Sequence, residues 1–353
     1  MLQGKSEVCQ FAEKMRSGAE VLGTLGEIDV GTTPKTLVYK EGKLALYRYD
    51  ALVSATKTNH TKVKIPVLIT YALVNRPYIL DLQPDKSLVR GLLERGLDVF
   101  LIDWGYPDGS DQYLTLEDYI LSYMDTCVDV VCDLTHQRAI NMLGVCQGGV
   151  FALCYSAIFP KRINSLVTMV TPVDFSTKEN LLAHLVKSVD VDLFINTMGN
   201  VPGTLLNSVY LSLKPYELNS RKYVDMLEIM DDPVKAKGFM RMEKWIFDSP
   251  DQAGAAFRQF TKALFQENQL IHGLFTLGPH KVNLRNVIMP VLNIFASKDH
   301  LVPASAAKPL KKYVGSKDYS ELEFDSGHIG IYVSGRAQRT IPPKIAEWLR
   351  EQS

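Results

Sequence analysis

The sequence predicts an α/β fold with a mostly parallel sheet that is covered by helices on both faces. Through the first half of the chain, short apolar runs rich in β-branched residues alternate with segments of helical spacing. The same alternation returns at residues 290–296, after a long interruption. Strands that alternate with helices pair in parallel, because each helix returns the chain to the end of the sheet where the previous strand began.

The individual elements follow in order along the chain. Strands are expected at residues 63–73, 97–103, 139–145, 164–170 and 290–296, where the runs are short and apolar. Helices are expected at residues 87–95, 116–138, 147–159, 308–312 and 343–350, where apolar residues recur at helical spacing. Gly96 follows the first of these helices and suits a C-cap.

The alternation stops at residues 175–287, which are predicted to be mostly helical and are rich in Met and aromatic residues. We therefore expect three segments. The first part of the core with an N-terminal extension spans residues 1–174, an inserted cap or lid spans 175–287, and the second part of the core spans 288–353. Long insertions at such a place commonly cover a site. A second structural subdomain without a covering role is the alternative.

Charge and composition exclude several classes of protein. The chain has 39 Lys and Arg against 39 Asp and Glu, so a nucleic-acid binder driven by electrostatics is excluded. No apolar run reaches the ~18 residues that a transmembrane helix needs, and no transmembrane segment is expected. The five cysteines are odd in number and lack zinc-type spacing, which favours mostly buried thiols in a reducing cytoplasm over a disulfide framework.

The segment GVCQGG at residues 144–149 lies between a predicted strand and a predicted helix. In that context, G-x-nucleophile-x-G is typical of the nucleophile elbow of the α/β-hydrolase fold. The sharp turn needs small residues two positions either side of the nucleophile, and Gly144 and Gly148 meet that need. Cys146 is thus the candidate nucleophile and the N–H of Gln147 a candidate oxyanion donor. A glycine-rich turn with an inert cysteine is the alternative.

A cysteine nucleophile needs a base, and the base needs an acid that orients it. In this fold the chain order is nucleophile, acid, His. Asp299 directly follows the strand predicted at 290–296, and His328 lies farther along in a glycine-flanked loop before the last helix. Cys146, Asp299 and His328 are therefore the candidate catalytic residues. His300, beside the acid, is a candidate substrate contact, with an ordinary loop histidine as the alternative.

A second oxyanion donor is expected from the loop after the first predicted strand, and the N–H of Val74 is the candidate. A thiolate that attacks a thioester forms another thioester, so acyl exchange on a cysteine is nearly balanced in free energy. This favours acyl transfer from an acyl-CoA. A thioesterase or esterase with the same three residues is the alternative, since some hydrolases also use cysteine.

The motifs taken together resemble those of the polyhydroxyalkanoate synthases, in their short class III form. The resemblance covers nearly the whole chain. It includes VNRPYILDL (74–82), LIDWGYPD (101–108), GVCQGG (144–149), TPVDF (171–175), MEKWIFDSPD (242–251), KDHLVP (298–303) and GHIG (327–330).

The resemblance implies polymerisation of (R)-3-hydroxyacyl-CoA, mainly 3-hydroxybutyryl-CoA, into a polyester with release of CoA. Carried onto the matching positions, Cys146 holds the growing chain and His328 is the general base. Asp299 supports His328 or helps to deprotonate the incoming 3-hydroxyl.

The resemblance further implies a PhaE-type second subunit, a homodimer or higher assembly, and a cytoplasmic location at the polyester granule surface. The short class IV synthases, which use a PhaR partner, are the alternative class. No cofactor and no metal ion is expected.

Overall fold

The computed structural model describes residues 2–52, 63–215 and 221–352, with side chains from Glu13 onward. Cys9, one of the predicted thiols, lies outside the described side chains. The strands of the described residues are β1 (Lys35–Glu41), β2 (Leu44–Tyr49), β3 (Val67–Thr70), β4 (Asp81–Gln83), β5 (Lys86–Ser87), β6 (Val99–Asp103), β7 (Ile140–Val145), β8 (Ile163–Met169), β9 (Thr276–Leu277), β10 (His280–Lys281), β11 (Val291–Ala296) and β12 (Tyr319–Phe324).

Eight of these strands form the central sheet, in the order β1-β2-β6-β3-β7-β8-β11-β12. The pairs from β6 to β12 are parallel, whereas β1 pairs with β2, and β2 with β6, in antiparallel fashion. Every residue of β3, β7 and β11 is buried. A parallel strand covered on both faces is expected to be apolar throughout, which explains why these runs could be recognised in the sequence.

The helices of the described residues flank this sheet and form much of the long connection between β8 and β11. They are α1 (Leu2–Thr24), α2 (Leu88–Leu93), α3 (Met124–Thr135), α4 (Gln147–Ile158), α5 (Leu181–Val186), α6 (Val191–Met198), α7 (Gly203–Ser212), α8 (Lys222–Leu227), α9 (Pro233–Phe247), α10 (Gly254–Gln259), α11 (Gln269–His272), α12 (Ala304–Ala307), α13 (Leu310–Tyr313), α14 (Gly330–Val333) and α15 (Gly335–Glu351). No helix among them is both long enough and apolar enough to cross a membrane.

Successive residues of the central strands alternate between two hydrophobic clusters. Leu68 and Phe100 belong to the cluster that contains the buried side chains of α3 and α4. Ile69 and Leu101 belong to the cluster that contains those of α2 and α15. Because side chains alternate between the two faces of a strand, helices cover both faces of the sheet, as predicted.

Several elements differ from the sequence prediction. The β1–β2 hairpin, β12 and α1 were not predicted, and the helix expected at 116–138 begins with a π-helical turn at Asp118–Tyr123. The last helix begins at Gly335 rather than at residue 343, with two prolines in its interior. Pro342 packs directly on α2, where a Cβ added to Gly91 would lie 2.7 Å from the Pro342 Cβ. This packing offsets the helix-breaking tendency of proline.

Residues 175–287, called the insertion below, lie between the adjacent strands β8 and β11 and contain α5 to α11, a π-helical turn at Phe260–Gln266 and the short β9–β10 hairpin. Val191, Ile195, Val201 and Leu206 form a small hydrophobic cluster within the insertion. Farther along, Leu264 joins the large cluster that covers one face of the sheet. The insertion is therefore packed partly on itself and partly against the sheet and its helices.

Candidate active site

Cys146 occupies the turn between β7 and α4, with a backbone φ of 55° and ψ of −124°. A positive φ is uncommon for a residue with a side chain and marks local strain. The Cys146 N–H donates to the Met169 carbonyl at 2.9 Å, which fixes the turn to the neighbouring strand β8. This is the strained strand-to-helix turn that defines a nucleophile elbow.

The glycines around Cys146 are required by the space available. A Cβ on Gly144 would lie 2.5 Å from the Gly149 Cα, and a Cβ on Gly148 would lie 2.5 Å from the Thr70 carbonyl oxygen. A Cβ on Gly149 would overlap the Thr171 side chain. The elbow therefore brings β3, β7 and α4 closer together than any larger side chain permits.

His328 and Asp299 form a hydrogen-bonded pair, with the His328 Nδ1 2.6 Å from the Asp299 Oδ2. The other carboxylate oxygen accepts from the backbone N–H groups of Leu301 and Val302, at 2.8 and 2.9 Å. Both members of the pair are buried. The acid is thus held in place by the loop after β11, and it in turn orients the imidazole.

The structure places Cys146 close enough to the same imidazole for its side chain to interact with His328. Burial by itself would lower the pKa of His328, since a charged ring is poorly solvated inside the protein. The negative charge of Asp299 and the interaction with Cys146 outweigh burial and raise the pKa of His328 from 6.5 to about 10. Residues 146, 328 and 299 therefore form one continuous chain of polar contacts.

Gln147, the residue after the candidate nucleophile, begins α4, where backbone N–H groups have no partner within the helix. Its side chain makes a contact that the sequence did not predict. The Gln147 Oε1 accepts a hydrogen bond from the Leu73 N–H at 3.0 Å. The Leu73 N–H is thus engaged, and the next residue, Val74, lines the same cavity as Cys146 and Gln147.

Cys146 opens into a cavity of about 430 Å³ that also includes His328 and His300 in its lining. The lining is otherwise largely apolar and aromatic. Much of it comes from the insertion, including Tyr210, Leu211, Phe239, Met242, Trp245, Ile246, Phe257, Phe260 and Phe265. Such a lining accommodates acyl groups and disfavours water beside a reactive thioester.

One ion pair interrupts the apolar lining of this cavity. The Lys222 Nζ lies 2.9 and 3.2 Å from the two Glu243 carboxylate oxygens, and the Tyr223 hydroxyl donates to Glu243 at 2.7 Å. Sequence reasoning missed this cluster, because the partners lie on different helices and no local spacing connects them. The pair joins α8 to α9 at the cavity wall.

Comparison with known protein families agrees with the fold. Residues 65–334 match the α/β hydrolase fold family, and residues 16–92 match the N-terminus family of poly-beta-hydroxybutyrate polymerase (PhaC). Among solved structures, the chain is similar to a monoacylglycerol lipase from Paleococcus ferrophilus. That similarity has a TM-score of 0.55 and 14% identity, and it covers 88% of this chain and 100% of the lipase chain. A thermophilic esterase from Thermogutta terrifontis is similar with a TM-score of 0.52 and 16% identity. That similarity covers 90% of this chain and 97% of the esterase chain. The predicted α/β-hydrolase fold is confirmed.

Several relatives are much more similar to this chain in sequence than these solved structures are. The poly(3-hydroxyalkanoate) polymerase subunit PhaC of Thiocystis violacea is 53% identical over 347 residues, which cover 98% of this chain and 96% of that protein. The protein of the same name from Allochromatium vinosum is 53% identical over 346 residues, with the same two coverages. The protein of the same name from Synechocystis sp. is 50% identical over 355 residues, which cover 98% of this chain and 92% of that protein.

Proposed function

The chain belongs to the poly(3-hydroxyalkanoate) polymerase PhaC family, and we propose that it polymerises (R)-3-hydroxyacyl-CoA, mainly 3-hydroxybutyryl-CoA, with release of CoA. The observation that carries this proposal is the polar chain of Cys146, His328 and Asp299, which opens into a largely apolar cavity. A reactive thiol beside a water-poor acyl site suits a chemistry that must keep each acyl group activated until the next transfer.

The first half of the reaction loads the enzyme. His328 accepts the proton of the Cys146 thiol, and the thiolate attacks the thioester carbonyl of the acyl-CoA. The negative charge that forms on the carbonyl oxygen is stabilised by the N–H groups of Gln147 and Val74. Collapse of this intermediate breaks the bond to the CoA sulfur, which takes the proton from His328 and leaves as CoA. Asp299 holds the imidazole in the orientation that both proton transfers need.

The second half extends the polyester. The 3-hydroxyl of one acyl unit gives its proton to His328, with Asp299 supporting the imidazole, and its oxygen attacks the thioester carbonyl of another unit. An ester bond forms, the carbon–sulfur bond breaks, and the released sulfur regains the proton from His328. His300, which lines the cavity, is proposed to contact the acyl substrate.

We propose residues 175–287 as a cap over the catalytic residues, inserted between core segments 1–174 and 288–353. Its support is that α7, α9 and α10 contribute side chains to the cavity that contains Cys146. A cap of this kind excludes the water that would otherwise hydrolyse the acyl-enzyme.

We also propose the class III arrangement, with a PhaE-type second subunit and a homodimer or higher assembly. The name of the two Thiocystis and Allochromatium relatives, which calls each a polymerase subunit, supports an assembly. A position at the granule surface is supported by exposed apolar side chains on the insertion, since Leu185, Leu193 and Phe247 are 52%, 65% and 60% exposed. A cytoplasmic location is supported by the free thiols of the four cysteines whose side chains are described.

The test is to incubate the purified chain with (R)-3-hydroxybutyryl-CoA, with and without a co-purified PhaE-type subunit. CoA release is followed by chromatography and the acyl product by its molecular mass. High-mass polyester with stoichiometric CoA is the expected result, and a rate that rises with the second subunit supports the class III assignment. Free 3-hydroxybutyrate as the main product would contradict the polymerase, and an absence of CoA release would contradict acyl transfer altogether.

A further inference from the structure

We propose that Asn75 is a positioning residue that couples the candidate oxyanion donor to the docking of helix α9. Residues 73–76 form the oxyanion loop, and residues 245–249 form the α9 end. The inference rests on the proposed function in one respect, since it takes the Val74 N–H as an oxyanion donor.

The side-chain amide of Asn75 reaches from the oxyanion loop to the α9 end. Its Nδ2 lies 3.3 Å from the Trp245 carbonyl oxygen, 3.2 Å from the Ile246 carbonyl oxygen and 2.7 Å from the Ser249 Oγ. The two carbonyl oxygens can only accept hydrogen bonds, so the amide must present its NH₂ group to them. A side chain that cannot donate does not replace these contacts.

The backbone of Asn75 is shaped for this task. Its φ is 56°, in the left-handed region that few residues other than glycine, asparagine and aspartate occupy readily. The turn at Asn75 sends its side chain to the insertion, while the preceding residue, Val74, remains in the lining of the cavity. The same backbone turn therefore sets both the contact with the insertion and the place of the candidate donor.

A second bond runs between the same two segments in the opposite direction. The Trp245 Nε1 donates to the Arg76 carbonyl oxygen at 2.8 Å, so the donor is now in the α9 end and the acceptor in the oxyanion loop. Beside it, the Tyr78 hydroxyl donates to the Asp248 carboxylate at 2.9 Å. The α9 end is thus fastened by hydrogen bonds to Asn75 and Arg76 of the oxyanion loop and to Tyr78 just beyond it.

The elbow holds the other end of the oxyanion loop, because Gln147 accepts the hydrogen bond from the Leu73 N–H. Val74 lies between these two attachments. The attachment at Leu73 is to Gln147 in the core of the molecule, and the attachment at Asn75 is to the α9 end in the insertion. An oxyanion donor acts at about 2.7–3.1 Å from the developing charge, so a loop released at one attachment loses part of its stabilisation of the transition state. Helix α9 also lines the cavity through Phe239 and Met242. Docking of α9 therefore completes the acyl site and fixes the oxyanion loop together.

The test compares two reactions of Cys146 that differ in their need for an oxyanion. CoA release from (R)-3-hydroxybutyryl-CoA forms one, and alkylation by iodoacetamide does not. Asn75→Gly removes the amide but keeps the left-handed backbone accessible. We expect its kcat for CoA release to fall ~10- to 100-fold, part of the effect of removing an oxyanion donor outright. We expect this fall in kcat to exceed any rise in KM, and alkylation of Cys146 to stay within about twofold of wild type, because alkylation forms no oxyanion.

The matched control is Tyr106→Phe. The Tyr106 hydroxyl donates to Asp248 at 2.7 Å, so this variant also weakens the anchoring of the α9 end, but from a segment outside the oxyanion loop. Its kcat is expected to stay within about twofold of wild type. Asn75→Asp, which keeps the size and the backbone preference but cannot donate, is expected to match Asn75→Gly. It serves as the test variant if the glycine variant does not fold, as judged by thermal unfolding.

Three results would overturn the inference while leaving the proposed function intact. The first is CoA release at the wild-type rate in both Asn75 variants. The second is a loss of Cys146 alkylation in these variants as large as their loss of CoA release. The third is a loss of CoA release in Tyr106→Phe as large as that in the Asn75 variants. An absence of CoA release from the wild-type protein would overturn the proposed function, and the inference with it.

Discussion

The side chain of Gln147 accepts a hydrogen bond from the backbone N–H of Leu73, with the Oε1 and the nitrogen 3.0 Å apart. The residue that follows the candidate nucleophile is thus connected to both sides of the candidate oxyanion site. Its backbone begins α4 beside Cys146, and its side chain holds the loop that carries Val74. A change in this one side chain should act on the loop without touching the thiol.

We therefore expect Gln147→Met to impair the loading step. Methionine fills similar space but accepts hydrogen bonds only weakly, so the buried Leu73 N–H loses its partner at a cost of about 1–3 kcal/mol. The free energy of unfolding should fall by this amount, and CoA release should slow by ~10-fold as the loop shifts. Denaturant titration and single-turnover CoA release measure the two effects. Wild-type stability and wild-type CoA release in Gln147→Met would argue against the contact.

The reacting atom is tested by substitutions of Cys146. Cys146→Ala keeps the Cβ and the strained backbone, so we expect a folded protein that releases no CoA above background. Cys146→Ser is expected to fold as well and to be slower than wild type by at least ~100-fold, because a hydroxyl is a far poorer nucleophile than a thiolate. Circular dichroism checks the fold, and mass spectrometry checks for an acyl group on the peptide that contains residue 146. Substantial turnover by the alanine variant would exclude Cys146 as the nucleophile.

The central parallel strands were predictable because burial on both faces leaves them with continuous apolar runs. The strands at the two edges of the sheet were not predicted from the same signal. β1 and β12 have several exposed or half-buried residues and no such run. A usable signal was present at Glu41-Gly42-Lys43, where a glycine with φ of 54° turns the chain between two strands. The start of α15 was misplaced because its two prolines oppose a helix by local rules, whereas the contact of Pro342 with Gly91 depends on the tertiary fold.

The candidate site was predictable only in part, for a related reason. Cys146, Asp299 and His328 follow a fixed chain order on known elements of the sheet, so position along the sequence was enough to propose them. The side-chain roles of Gln147 and Asn75 depend on partners 74 and 170 or more residues away. No local spacing encodes such contacts, and a single sequence offers no other trace of them.

The charge of His328 is expected to depend on Asp299. The pKa of His328 is raised to about 10, with burial opposing the effect of the carboxylate. In Asp299→Asn the opposing burial remains and the carboxylate is lost, so the pKa of His328 should fall. Nitrogen-15 NMR of labelled histidine side chains measures this change. An unchanged pKa would mean that another group sets the charge of the ring.

Because the pKa of His328 is raised in the folded protein, the free energy of unfolding should depend on pH. The folded-state pKa lies above the ordinary value of 6.5, so protonation of His328 stabilises the folded protein fully below pH 6.5, and this contribution is lost as the pH rises through about 10. The difference in unfolding free energy between wild type and Asp299→Asn should therefore be largest near pH 6 and shrink towards pH 10. Denaturant titrations at both pH values test the sign.

A substitution of Gly148 tests whether the turn at Cys146 needs a residue without a side chain at this position. A Cβ at this position would meet backbone atoms of Thr70 and Tyr71 at 2.5–2.6 Å, and backbone cannot move aside as a side chain can. Gly148→Ala should therefore destabilise the protein by about 1–3 kcal/mol or more, and it should lower the melting temperature. Gly109→Ala is the matched control, because a Cβ there meets nothing within 4 Å. Similar melting temperatures for the two variants would refute the steric requirement.

The remaining thiols provide a test of selectivity. Cys127 and Cys154 are fully buried, and burial raises the pKa of both thiols, so little thiolate is present at neutral pH. Cys146 differs from them in its interaction with His328 and its place in the cavity lining. Brief treatment of the folded protein with iodoacetamide should modify Cys146 at least ~10-fold faster than Cys127 or Cys154, as measured by peptide mass spectrometry. His328→Gln should slow the modification of Cys146 and leave the other two thiols unchanged. If Cys146 reacted no faster than Cys127 and Cys154, the interaction with His328 would not activate its thiol.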